Sequence, residues 1–324
     1  MAAPDTFRAD IPAEVNNFYD NVLLERALPL NIHGLFGQKR GIPANAGSAI
    51  IKFRRYGSLA SATSALTEGT TPTGKSLSVT DITATALQYG DFTKISDVVS
   101  TQSPDPILTE ATEIFGEQMG LTNDELTRDV LVAGTTVQYA STAVSRVTVA
   151  AGMVLNLAET KEAVTTLKNA KARKITAMSS ASPGVGTIPL NACFVGIVHP
   201  SVTSAMKALT GWKDVQTYAV NTAIIPGEIG SLDEVRFIET TNAKVFTGAG
   251  AAGIDVYATV ILAANAYGIV DLANSQAQGV IYKGLGSSGS ADPLNQRQTL
   301  GWKEYFVAKI LNDAFMVRIE HALV

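Results

Sequence analysis

The sequence predicts an α+β protein with a long strand hairpin, a long helix and a closing strand. Leu108, Phe115, Met119, Leu126 and Val130 recur at spacings of seven, four, seven and four, one continuous helical stripe. Leu77, Val79, Leu87 and Tyr89 stand at odd positions with Thr80, Thr83 and Thr85 interspersed, which is strand chemistry because β-branched side chains stiffen the extended backbone. Near the C-terminus Phe315, Val317 and Ile319 alternate with Met316, Arg318 and Glu320, the pattern of a strand wet on one face.

Residues 1 to about 46 alternate Pro, Asn and Gly with short apolar pieces, a composition suited to an extended arm. One helical patch is predicted within it, from Val15 to Leu24. Ile50, Ile51, Phe53 and Tyr56 then form a strand that also carries Lys52, Arg54 and Arg55. Residues 58 to 76 are dominated by Ser, Thr, Ala and Gly, and the chain returns through Leu77 to Tyr89. The two strands and their polar tip make one long hairpin. Its apolar content is too small for self-support, since an isolated hairpin is marginal in water, so its natural support is another subunit.

Asp105 can cap a helix whose first position is Pro106, and the stripe continues until Gly134, giving a rod of roughly 40 Å. A second helix is marked by Leu157, Thr160, Val164 and Leu167. Residues 169 to 190, with Lys171, Arg173 and Lys174 followed by Ser, Pro and Gly, read as a basic connection and an internal boundary. Beyond it come a strand from Cys193 to Val198, a turn at His199-Pro200, a helix from Ser201 to Leu209, and strands near Val235 to Glu239, Ala243 to Phe246 and Ile254 to Leu262.

Charged residues make up only 17% of the 324 residues, against a usual share of about 25%. So bland a surface favours a subunit that covers itself with neighbours. The net charge of −4 and the scattered Lys and Arg argue against sequence-specific reading of nucleic acid. The single Cys193 lies in an apolar run and reads as a buried strand thiol; six residues of strand, about 20 Å, separate it from His199. No basic segment precedes an apolar one at the N-terminus, and the longest apolar stretch, Val256 to Val270, is too short to span a bilayer. A protein made and kept in the cytoplasm is expected, which also weighs against an adhesin.

Two glycine motifs compete with a structural reading. Gly69 to Ser76 spells G-x-x-x-x-G-K-S, the phosphate-binding loop, and makes a nucleotide hydrolase the rival function, with Lys75 on the phosphates and Ser76 on magnesium. That chemistry needs a buried strand before the loop and a helix after it, so that N–H groups converge on phosphate. The flanks are instead polar before and strand-like after. Gly248 to Gly253 spells the dinucleotide fingerprint, with Asp271 downstream, yet Ile254 to Ile261 is β-branched and reads as a strand. No His, Cys or carboxylate pair falls at metal-ligand spacing and no nucleophile turn appears, so no catalytic residue, cofactor or metal is expected. Trp212 and Trp302 read as core or interface aromatics.

The order of arm, long hairpin, long helix, second helix, α/β module and closing strand resembles the Hong Kong ninety-seven (HK) type phage capsid fold. Pro226-Gly-Glu-Ile-Gly-Ser-Leu-Asp-Glu-Val-Arg-Phe-Ile-Glu-Thr240, Asp292-Pro-Leu-Asn-Gln-Arg-Gln-Thr-Leu-Gly-Trp-Lys303 and Val195-Gly-Ile-Val-His-Pro200 resemble segments of the major capsid proteins of N-four-like podoviruses. The resemblance implies an N-terminal arm at 1–46, an extended hairpin loop at 47–98, a peripheral domain from 99–188 and 276–324 with a spine helix at about 105–133, and an axial domain at 189–275. It implies a non-catalytic shell protein that forms pentamers and hexamers around double-stranded DNA held without sequence specificity. Arg54, Arg55, Glu68 and Lys75 become candidates for contacts between subunits. A separate scaffolding protein, a portal and decoration proteins are the further partners it implies, and the virion capsid, assembled in the bacterial cytoplasm, the location.

Overall fold

The computed structural model describes residues 32–43, 49–102, 107–179, 187–217, 225–273, 279–289 and 292–323. The expected helical patch at Val15 to Leu24 and the Asp105-Pro106 cap lie outside the described residues.

The strands are β1 (Gln38–Pro43), β2 (Ile50–Tyr56), β3 (Val79–Thr85), β4 (Leu87–Ser96), β5 (Val137–Tyr139), β6 (Ile175–Ser179), β7 (Thr187–Val198), β8 (Lys213–Asp214), β9 (Glu228–Leu232), β10 (Val235–Glu239), β11 (Val245–Phe246), β12 (Val256–Leu262), β13 (Tyr267–Ala273), β14 (Gly279–Lys283), β15 (Arg297–Ile310) and β16 (Met316–His321). The α-helices are α1 (Asp97–Gln102), α2 (Ile107–Val132), α3 (Leu157–Asn169) and α4 (Pro200–Lys207). Among the described residues β1, β13, β15, β14 and β4 form one sheet, β5-β16-β12-β7-β10-β9-β8 with β11 and β6 a second, and β2 with β3 a separate ribbon.

The first sheet is organised by β15. One edge pairs with β4 from Arg297↔Ser96 to Phe306↔Leu87, while the other takes β14 and then β13. The predicted return strand from Leu77 to Tyr89 is therefore two elements, β3 in the ribbon and β4 in this sheet, with buried Ala86 between them. Phe115 and Met119 of α2 pack on Leu300 and Trp302 of β15. The Trp302 indole donates to Gln118 Oε1 at 2.8 Å, and Gln118 donates in turn to Asp91 of β4 at 2.9 Å.

The second sheet is buried on both faces. Val195, Ile197, Val260, Leu262 and Met316 join a core with Leu131 and Val132 at the end of α2 and with Tyr267 and Phe306 of the first sheet. Phe194, Phe237, Ile261, Val317 and Ile319 face α3 and α4. Helix α3 starts at a capping box in which Asn156 accepts from Ala158 and Glu159 N–H. Two expectations are corrected here. The stretch from 169 to 190 holds β6, paired with β7 rather than lying open. The closing strand β16 is buried at every position, its expected wet face included.

Candidate assembly surface

The hairpin is real at its root. β2 and β3 pair from Ile50↔Thr85 to Tyr56↔Val79, and Ile51 and Phe53 pack against Ile42, Ala84, Ala86 and Val270. Beyond the root every residue from 54 to 81 is exposed. Tyr56, Leu59, Leu66, Leu77 and Val79 remain 47–78% exposed. Among the described residues no sheet lies behind this part of the ribbon, and its aliphatic side chains face water.

The four sequence-predicted contact residues all sit on this excursion. Arg54 Nε donates to Asp81 Oδ1 across the ribbon at 3.0 Å, a partner not anticipated from the sequence. Arg54 and Arg55 line a groove of about 480 Å³ at the hairpin root with Arg40 and Lys52, over an apolar floor that includes Ile51, Phe53, Leu311 and Phe315. Lys75 Nζ reaches the Ala60 carbonyl at 3.3 Å. Among the described residues no ion pair links Glu68 to Arg54, Arg55 or Lys75.

Neither glycine motif has the geometry its chemistry requires. No helix follows Ser76; the next element is β3, and nothing lies within 4 Å of a side chain built on Gly69 or Gly74. In the second motif the backbone donors are already spent. Gly248 N–H donates to Asp255 at 2.8 Å, Gly250 N–H to Ile254 O at 2.9 Å and Ala251 N–H to Val149 O at 2.8 Å. A single turn of 3₁₀ helix at Ala251–Gly253 leads into β12, so no helix N-terminus faces the loop.

Among the described residues no group of three or more His, Cys, Asp or Glu could hold a metal ion. Burial pushes the Cys193 thiol upward, away from nucleophile chemistry. His199 is a helix cap whose Nδ1 accepts from Ser201 N–H at 3.2 Å. No helix of the described residues is long and apolar enough to cross a membrane.

Sequence reasoning missed two buried polar nodes that tie the body together. Asp124 of α2 accepts from Ile32 N–H, His33 N–H, His33 Nδ1 and Asn242 Nδ2, at 2.9, 2.8, 2.8 and 2.6 Å. Burial alone would raise its pKa, but His33 and Asn242 outweigh burial and hold the carboxyl below its ordinary range. Tyr267 donates its hydroxyl to the His33 carbonyl, which fastens the same segment to β13. In the second node Arg318 donates to the Val132 and Gly134 carbonyls at the C-terminus of α2. Glu320 balances it, 2.8 Å from Arg318 Nε and bidentate to Arg146 at 2.8 and 2.7 Å. A legible signal for the first node was the helical spacing of Asp124 and Thr127 with Leu131; for the second there was none.

The spine helix, the twin sheets and the free-standing hairpin define an HK-type phage capsid fold. Among solved structures the chain is similar to the capsid of Ralstonia phage GP4, with TM-score 0.68, 11% identity and coverage of 89% of this chain and 87% of that one. It is similar to the head of Helicobacter pylori bacteriophage KHP40, with TM-score 0.65, 12% identity and coverage of 91% and 89%. The SrpI encapsulin complex from Synechococcus elongatus follows at TM-score 0.54, 8% identity and coverage of 87% and 84%. No protein-family model and no curated protein matches the chain.

Proposed function

We propose that the chain is the major capsid protein of a tailed phage, a non-catalytic subunit that assembles into pentamers and hexamers of an icosahedral shell. The observation that carries this is the exposed excursion from 54 to 81 on a capsid fold, because those aliphatic side chains find no cover among the described residues. A heterologous contact, in which the hairpin of one copy lies on a different surface of the next, closes into rings when the rotation allows. Arg54, Arg55, Glu68 and Lys75 are the proposed polar contacts of that interface, and rim charges of this kind set register and salt dependence.

The proposed domain division follows the sheets. β4, β13, β14, β15 and α2 make the peripheral domain; β7, β10, β12 and β16 with α3 and α4 make the axial domain. This moves β4 out of the hairpin loop, β13 out of the axial segment, and α3 and β16 into it. A scaffolding protein, a portal, decoration proteins and packaged double-stranded DNA are proposed partners on the strength of the sequence resemblance, as are the podovirus subtype and assembly in the host cytoplasm.

Negative-stain electron microscopy of the concentrated, purified chain tests the reading. Five- or six-membered rings or closed shells are expected. A uniform field of monomers, unchanged when host lysate containing the phage's other structural proteins is added, would overturn it.

A further inference from the structure

Where β4, β15 and β14 run side by side, one face of the first sheet turns Tyr89, Val280, Leu300 and Trp302 towards Phe115 and Met119 of α2. The opposite face opens to a cavity of about 680 Å³. Strand alternation and the pairing register lay that open face out in three rows. Lys94, Thr299 and Lys283 stand side by side in the first, Phe92, Gly301 and Ile281 in the second, and Gly90, Lys303 and Gly279 in the third. Four residues of strand, about 13 Å, separate the first row from the third.

The centre of this floor is bare backbone by necessity. A Cβ at Gly90 would lie 2.4 Å from the Trp302 carbonyl oxygen, and one at Gly301 would lie 2.6 Å from the Asp91 carbonyl oxygen. Phe92 stands directly beside Gly301 and is 62% exposed. A flat floor without side chains, next to an exposed ring, suits a planar group that stacks.

The free charge around the floor is of one sign. Among the described residues Lys94, Lys283 and Lys303 have no ion-pair partner, and Lys94 Nζ lies 5.9 Å from the centroid of the Phe92 ring. Asp91 is the one carboxylate among the residues described on the cavity wall, and it is already engaged. It accepts from Gln118 Nε2 of α2 at 2.9 Å and from Phe92 N–H at 2.8 Å. Glu304, the one acid of β15, lies on the α2 side and is 1% exposed. Cation, ring and cation across the floor repeat the order of phosphate, base and phosphate along an unpaired nucleic-acid strand. A duplex has no free base face to offer the ring, and an acidic peptide would answer the lysines while leaving the flat floor unfilled.

We propose that this open face is a binding site for single-stranded nucleic acid, taken without sequence preference. One base stacks on Phe92 over Gly301, and Lys94, Lys283 and Lys303 hold the phosphates on either side. The proposal goes beyond the shell reading and does not rest on it, because binding is measured on the unassembled chain.

The probe is a fluorescein-labelled oligothymidylate of about 12 nucleotides, read by anisotropy against the full-length, unassembled chain at about 50 mM salt. Binding is expected, with a duplex of the same length weaker by about fivefold or more. Phe92→Ala should weaken the single strand by about tenfold. Lys94→Gln/Lys283→Gln/Lys303→Gln should flatten the slope of log K against log salt by about 2, three phosphates at about 0.7 each. Lys161→Gln/Lys171→Gln/Lys213→Gln, which removes three exposed lysines elsewhere, should change the slope by less than about 0.5. No binding to the wild-type chain, an equal loss with the control lysines, unchanged affinity in Phe92→Ala, or a duplex that binds as tightly would each overturn the proposal. So would a poly-glutamate peptide of the same charge that displaces the oligonucleotide at equal concentration, since the occupant would then be an acidic protein segment.

Discussion

Arg318 and Glu320 alternate with Val317 and Ile319 as a solvent face would, yet both are buried, 9% and 0% exposed. The reason lies elsewhere in the chain. The last carbonyls of α2 lack helical partners, Arg318 supplies the donors, and Glu320, which also binds Arg146, sets a negative charge against the buried guanidinium. No periodicity within β16 encodes this, so the polar half of the strand was illegible. The neighbouring His321 is fully buried, with its Nε2 2.9 Å from Thr259 Oγ1, and burial lowers its pKa from 6.5 to about 4. Between those values the unfolded chain holds a proton that the folded chain does not. Stability from this group is therefore complete above pH 6.5 and lost as the pH falls towards 4. Between pH 7 and pH 5 the loss is about 2 kcal/mol by linkage. Thermal unfolding of the unassembled chain should show that slope, and His321→Asn should flatten it; equal slopes in the two proteins would remove His321 as the source.

At the scale of elements, legibility followed the purity of the pattern. Helices α2 and α3 and strand β10 were read close to their true bounds because their apolar stripes were uninterrupted. Strand β15, the longest, was not recognised as a strand. Its even positions from 298 to 308 all face inward, but Gln298 and Glu304 occupy two of them and break the alternation. Gly301 hides a further constraint in the same strand. It stands opposite Phe92, and a Cβ added there would lie 2.6 Å from the Asp91 carbonyl oxygen, a backbone atom with no freedom to retreat. Gly301→Ala should cost roughly 2 kcal/mol in chemical denaturation, the usual penalty of overpacking, while Gly74→Ala on the open hairpin tip should cost less than about 0.5 kcal/mol. Equal values would mean that β4 and β15 do not cross as closely as the register indicates.

For the whole molecule, the decisive reading from sequence was that a long hairpin lacked apolar content to support itself, and the structure locates where that deficiency begins. It begins at Arg54, immediately beyond the packed Ile51 and Phe53. The part of the chain devoted to stability and the part proposed to meet a neighbour are therefore separable. Tyr56 and Val79 are direct cross-strand partners, so replacing Gly57 to Ser78 with Asn-Gly closes the ribbon as a two-residue hairpin. The excised residues bury nothing in the core, and the melting transition of the shortened chain should stay within about 1 kcal/mol of the wild type. Assembly should fail: sedimentation and electron microscopy should show folded monomers at concentrations where the full chain forms rings or shells. Shells built by the shortened chain would mean that the interface lies elsewhere on the fold, and that the exposed leucines of the hairpin serve some other partner.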